Sequence, residues 1–337
     1  MMHFAVSSKA ENFIRALPKT ETHLHIEGAL PYSLLQQLDP ERYANVPDSW
    51  RKDFRFDSFQ HFESELLGYA AAWFTAPDRY HEAAKLIFET LHKEQNVKYV
   101  ACSMASGVIE FSGMDGHAVA RAIKSAAPKG LKVDLYLGIH HNGYNDKTKN
   151  FIEESLTWEE LSGYDLHGVE ELPLEPWTAN LWNRARDFGK YTKAHAGEFC
   201  GPDFIERVIE ELGVSRIQHG VRSVESEVLL KRLSTQPFVL DVCPISNVKL
   251  RVADRYNKEE ALRLLKSDVC CTISTDDPIS FGNTLYDEYA FLLSEYGFSV
   301  ADLARFARNG FMTSTLNDAE KAVHIGEIDN LLETYLG

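Results

Sequence analysis

Residues 19–30 read KTETHLHIEGAL. His23 and His25 are separated by one residue near the end of a short run with strand character. On a β-strand that spacing puts both imidazoles on one face, with Leu24 and Ile26 on the other. One face offers metal-capable nitrogens and the other offers apolar contact to a covering layer. Such a strand belongs in a sheet that is enclosed on both sides.

The same texture recurs along the chain. Short apolar runs predict strands near Thr20–Ile26, Val97–Met104, Lys132–Ile139, Leu161–Leu166, Tyr191–Ala196, Arg216–Gln218, Phe238–Val242 and Val269–Ser274. Helical periodicity fills many of the gaps: Asp78–Glu94, Gly116–Ala127, Trp177–Phe188, Pro202–Glu211, Val224–Ser234 and Lys258–Lys266. This alternation describes one α/β unit. Eight strands with reactive residues after several of them predict a (β/α)8 TIM barrel with additional helices. A doubly wound sheet would gather its ligands at one strand-order switch, and the chain has no GxGxxG run. Residues 1–337 read as a single barrel domain, with a helical insertion near 29–77 and terminal helices near 302–336. Pro173 and Pro176 mark a βα loop, not a domain boundary. The insertion carries Trp50, Phe54, Phe56, Phe59, Trp73 and Phe74, which form either a lid over a pocket or ordinary helix packing.

Composition narrows the function. The net charge of -15 argues against a broad polyanion-binding surface, so no nucleic-acid partner is expected, while a small purine needs only a pocket. Of the five cysteines, none forms a CxxC pair, which suits small buried thiols in a reducing compartment. The N-terminal MMHFAVSSKAENFIRAL lacks a signal peptide's apolar stretch, and no segment approaches membrane-spanning length. A cytoplasmic protein without a membrane partner is the expectation.

The candidate chemistry lies at strand ends. His195 in HAGE and Asp276 in STDDP join His23 and His25 as a three-histidine, one-carboxylate set suited to one Zn2+ with room for water. Glu198 follows His195 by three residues. It is either a helix-starting carboxylate facing solvent or a general acid turned toward the metal by Gly197, its pKa raised by the crowding of Asp276 and Asp277. His219 either satisfies a core position or orients the attacking water. Backbone alternation separates Asp276 from Asp277, so one can bind metal while the other accepts a substrate hydrogen bond; the bland reading is an Asp-Asp-Pro turn.

Taken jointly and in order, KTETHLHIEGAL, GYDLHG, HAGE, QHG, CPISNVKL and STDDPISFG resemble the adenosine/adenine deaminase family of metal-dependent hydrolases. The resemblance runs from about Lys19 to Leu316. It implies one zinc per chain held by His23, His25, His195 and Asp276. It also implies that Glu198 protonates purine N1 and that His219, with Asp276, orients hydroxide. Asp277 meets N7 and the Gly168 backbone meets N3. The implied reaction is hydrolysis of a cyclic amidine C–N bond, giving a 6-oxo purine and ammonia with no organic cofactor. The fourth strand, LSGYDLHG, contains no lysine to bridge a second metal.

Glu27 bears on the size of the substrate. The adenosine branch commonly has Asp there, contacting ribose, whereas Glu with CPISNVKL resembles adenine-acting relatives. VKYVACSMASG and GIHHNGY depart from the family's usual second and third strands; His140 and His141 either shape the pocket or stand behind it. Adenosine or a related 6-aminopurine nucleoside is the first expectation, because Gly28 and Ala29 preserve space after Glu27. Free adenine or an N6-modified adenine is the alternative, and a pterin or other fused heterocycle is a third. An inactive binding or assembly barrel is the reading from a different class, and it predicts no ammonia release.

Overall fold

The computed structural model describes residues 4–252 and 258–337; Met1–His3, the start of the N-terminal stretch read above, lie outside them. Eight strands pair in chain order, every neighbour parallel: β1 (Lys19–His25), β2 (Val97–Ala105), β3 (Lys132–His140), β4 (Leu161–His167), β5 (Tyr191–Ala196), β6 (Arg216–His219), β7 (Val239–Val242) and β8 (Cys270–Ile273). Each lies within one residue of its expected bounds. The seam between β1 and β8 is drawn together near its C-terminal end. Asp276 N–H donates to His23 O at 3.0 Å, and His25 N–H donates to Asp276 O at 3.2 Å. Below it, the Thr22 hydroxyl bonds those of Thr272 (2.7 Å) and Ser274 (2.9 Å). The result is the expected (β/α)8 barrel with extra helices.

The helices bury one stripe each against the strands. In Pro202–Leu212, proline sits in the first turn, where no N–H is needed, and Ile205, Val208, Ile209 and Leu212 form the buried face. Each such side chain contributes about 1.5–3 kcal/mol on leaving water. Gly213 ends the helix at φ +65°. The expected helix at Val224–Ser234 differs. A 3-10 turn, Val221–Glu225, comes first, and Ser226 then caps a fresh helix, Glu227–Thr235, by accepting from Leu229 N–H. The insertion folds as helices Tyr32–Leu38 and Phe59–Trp73 with a 3-10 turn at Asp48–Trp50. Sequence reading passed over the short helices Ser106–Phe111, Pro244–Lys249 and Pro278–Phe281, which leave the ends of β2, β7 and β8 and frame the barrel mouth. Among the described residues no helix is long and apolar enough to cross a membrane.

Candidate metal centre and purine pocket

The C-terminal strand ends bring the expected residues together. His23, His195, His219 and Asp276 each place a ligand atom within 4.8 Å of the others, and His25, Asp276 and Asp277 form an overlapping group. His23 Nε2 lies 3.1 Å from His195 Nε2 and 3.3 Å from Asp276 Oδ1, and His25 Nε2 lies 3.4 Å from the same oxygen. Ligands at about 2.0–2.1 Å around a tetrahedral zinc stand roughly 3.3 Å apart, so these separations fit one ion.

The imidazole tautomers strengthen that fit. His23 Nδ1 faces the Asp241 carbonyl at 3.2 Å; His195 Nδ1 faces the Leu166 carbonyl at 3.0 Å and Asp165 Oδ1 at 3.2 Å. Both partners only accept, so Nδ1 carries the proton in each ring and Nε2 presents a lone pair. Two lone pairs facing each other at 3.1 Å repel unless a cation sits between them. His219 is the opposite case. The Asn247 amide nitrogen donates to its Nδ1 at 3.1 Å, leaving Nε2–H to point at Glu198 Oε2 (3.4 Å) and Asp276 Oδ2 (3.9 Å). Ser246 donates to Asp276 Oδ2 at 2.7 Å, which leaves Oδ1 toward His23 and His25. The cluster is suited to one Zn2+ per chain.

Two of the site residues sit on strained backbone. His219 and Asp276 adopt φ of +65° and +68°. Left-handed conformations of this kind cost non-glycine residues about 1–3 kcal/mol and gather at functional sites. Glu198 is aimed by Glu170. That buried carboxylate accepts the N–H groups of Gly197, Glu198 (3.2 Å), Phe199 (2.5 Å) and Cys200 (2.9 Å), fixing the HAGE turn. Gly197 takes φ +74°, and a Cβ there would strike Ile205. Glu198 is 7 % exposed, so it is the buried alternative and not a solvent-facing carboxylate. Burial, followed by the nearby Asp276 carboxylate, pushes its pKa well above the ordinary range, and the same two causes raise Asp277.

These groups line the inner end of a cavity of about 710 Å³, together with Glu27, Gly28, His140, His167 and Gly168. Glu27 Oε1 accepts from the Tyr80 hydroxyl (2.7 Å) and Ala105 N–H (3.0 Å). Glu27 Oε2, Glu198 Oε1 and Asp277 Oδ1 are buried with no protein partner, the condition expected of atoms reserved for a ligand. A Cβ on Gly28 would stand 1.6 Å from Asp277 Oδ1, so only glycine lets that carboxylate reach the cavity. Among the aromatic residues of the insertion, Phe59 and Phe62 line the cavity while others pack: Trp50 Nε1 donates to Ile279 O at 2.6 Å, Phe56 meets Phe281, and Phe74 meets Tyr80. His140 lines the cavity; His141 is buried beside Phe204.

Sequence reading missed the residues behind the site. Asp165 touches His195 and accepts from the Ser103 hydroxyl at 2.7 Å; Lys193 Nζ lies 3.5 Å from it, inside the barrel. His167 stacks on His25 at 5.4 Å between ring centroids. The available signal was a charged residue at an inward position of an otherwise apolar strand, as in Asp165, Lys193 and Asp241. All five cysteines are free.

Comparison with known proteins agrees with this geometry. The profile of the family "Adenosine deaminase" matches residues 18–331. The adenine deaminase of Sphingopyxis alaskensis is 31% identical, with 97% of this chain and 98% of the relative covered. That of Hahella chejuensis is 29% identical over 96% of this chain and 100% of the relative. Among solved structures, the adenine deaminase of Arthrobacter aurescens shares the fold with a TM-score of 0.83 at 24% identity, covering 94% of this chain and 99% of the other. An Arabidopsis homologue complexed with GMP has a TM-score of 0.74 at 19% identity, covering 95% and 98%. A barrel seam that carries metal ligands, a pocket of reserved carboxylates and this breadth of match together place the chain in the adenosine deaminase family.

Proposed function

We propose that this protein hydrolyses the exocyclic amine of a 6-aminopurine, with His23, His25, His195 and Asp276 as the zinc ligands. The tautomers carry the assignment: His23 and His195 offer lone pairs, whereas His219 offers a proton. A bound Zn2+ supplies a Lewis acid that brings the pKa of water to about 7. Glu198, whose pKa burial and the Asp276 carboxylate push up, donates a proton to purine N1 as water oxygen bonds to C6, so negative charge does not build on the ring. His219 Nε2–H and Asp276 Oδ2 hold that oxygen in line. Asp277 meets N7 and the Gly168 backbone meets N3. One proton of the attacking water passes to N6, which leaves as ammonia when the C6–N6 bond breaks, and the other restores Glu198, so the 6-oxo purine keeps the proton on N1.

The nucleoside class is the reading we favour, because a cavity of about 710 Å³ is in the range that encloses a drug-sized ligand, roughly 300–1,000 Å³. Glu27 Oε2 is free to accept a sugar hydroxyl. Free adenine is the second reading, supported by the adenine deaminases among the relatives and by the Glu at position 27. Five free thiols support a reducing compartment such as the cytoplasm. In the deciding experiment, Glu198→Gln retains about one zinc per chain while ammonia release from every 6-aminopurine falls at least about 100-fold. Normal turnover in that variant refutes the proton-transfer role.

A further inference from the structure

The cavity is longer than the chemistry needs. Its inner end holds the metal cluster and the carboxylates; its outer end is walled by two helices of different character from the floor. Leu66, Leu67 and Ala71 of Phe59–Trp73 line it together with Val108 and Phe111 of Ser106–Phe111. Phe111 is 79% exposed and Leu67 46%. Large apolar side chains left in water around a pocket mouth mark a surface meant to be covered.

Charge sets the second constraint. Among the described residues no lysine or arginine lines the cavity, whereas Glu27, Glu63, Glu110, Glu198, Asp276 and Asp277 do. Glu110 is itself paired with Lys147 at 3.2 Å. A phosphate recognised in a pocket is met by guanidinium, ammonium or converging N–H donors. Here it would meet carboxylates. The lining also offers neutral polar residues, His140, Asn142 and Asn145, suited to the hydroxyls of a sugar.

Orientation follows from the proposed function, on which this inference rests. With C6 at the metal cluster, N1 at Glu198 and N7 at Asp277, purine N9 points out of the barrel toward the outer chamber. We infer that the preferred substrate is a 6-aminopurine nucleoside whose sugar ends in an uncharged, apolar 5′ group, an alkylthio ether for example. The sugar lies along the neutral polar residues with Glu27, and its tail covers Leu66, Leu67 and Phe111. Nucleoside monophosphates are rejected at the same place.

The test is a kcat/KM comparison, on zinc-loaded enzyme, of adenine, adenosine, 5′-deoxy-5′-methylthioadenosine and AMP. The thioether nucleoside should exceed adenosine by about tenfold or more, the low end of what one apolar group gives in a fitted pocket. AMP should fall at least about 100-fold below adenosine. Phe111→Ser, at a site exposed enough to spare the fold, should bring the thioether-to-adenosine ratio close to one; Leu67→Ser should lower it too. A panel led by adenine or AMP overturns this inference while leaving the deaminase reading intact, as does an unchanged ratio in both variants. No turnover of any of the four by zinc-loaded enzyme overturns both.

Discussion

Replacing Lys193 with Met tests how the barrel interior supports its metal. Lys193 and Asp165 are 1% and 0% exposed, and Nζ lies 3.5 Å from Asp165 Oδ2 and 3.1 Å from Gln218 Oε1. Burial alone would raise the Asp165 carboxyl, but the Lys193 ammonium and His195 hold it well below the usual range. As an anion it fixes the His195 proton on Nδ1 and keeps Nε2 basic toward zinc. Methionine keeps the stem and removes the charge. Losing one partner of a buried pair costs about 3–5 kcal/mol, because the other charge is stranded. Weakening a partner behind a metal ligand costs about 10–100-fold in affinity, or roughly 1.4–2.7 kcal/mol. Denaturant unfolding of the metal-free protein reads the first quantity, and zinc competition against a chromophoric chelator reads the second. In Lys193→Met both should fall. In Lys193→Met/Asp165→Asn the stability should recover, since no charge is stranded, while zinc binding stays weak. A single variant that unfolds and binds zinc like the wild type would falsify this account of the interior pair.

Three further outcomes are expected. Gly28→Ala forces a Cβ to within 1.6 Å of the present Asp277 Oδ1 position, so Asp277 must move; kcat/KM should drop about 100-fold with zinc content unchanged, and wild-type turnover contradicts the role of Asp277. Stripping zinc with a chelator should lower the thermal midpoint: at free zinc about one hundred times Kd the ion contributes about 2.7 kcal/mol, and a midpoint indifferent to zinc contradicts a folded-state site. Burial lowers the Lys19 ammonium to about 7, below its unfolded value near 10.5. The unfolded chain then binds more protons between those values, so stability rises with pH in that window. From pH 7 to 9 the wild type should gain about 2 kcal/mol relative to Lys19→Met, and parallel pH profiles refute it.

How far the sequence could be read depended on the range of each interaction. The strands were legible because runs such as Val97–Met104 are mostly apolar, and the metal-capable residues were legible because each sits near the end of such a run. The His23 and His25 pairing needed only the two-residue period of a strand. What holds those residues was not legible. Glu170 is tied to the HAGE turn, Tyr80 to Glu27, and Asn247 to His219 across 27, 53 and 28 positions of chain. No local pattern announces such partners. The tautomers, which separate His219 from the lone-pair histidines, depend wholly on them. The insertion stayed open between its two readings for a related reason: an aromatic cluster looks alike whether it covers a pocket or packs on Phe281, as Phe56 does.

The seam between β1 and β8 joins the first strand to the last, and Asp276 lies on its far side. During translation His23 and His25 leave the ribosome early, but their carboxylate partner arrives some 250 residues later. A nascent chain therefore cannot assemble the complete ion site until the ring of strands has come full circle. A bound ion would thus clasp the first strand of the ring to the last.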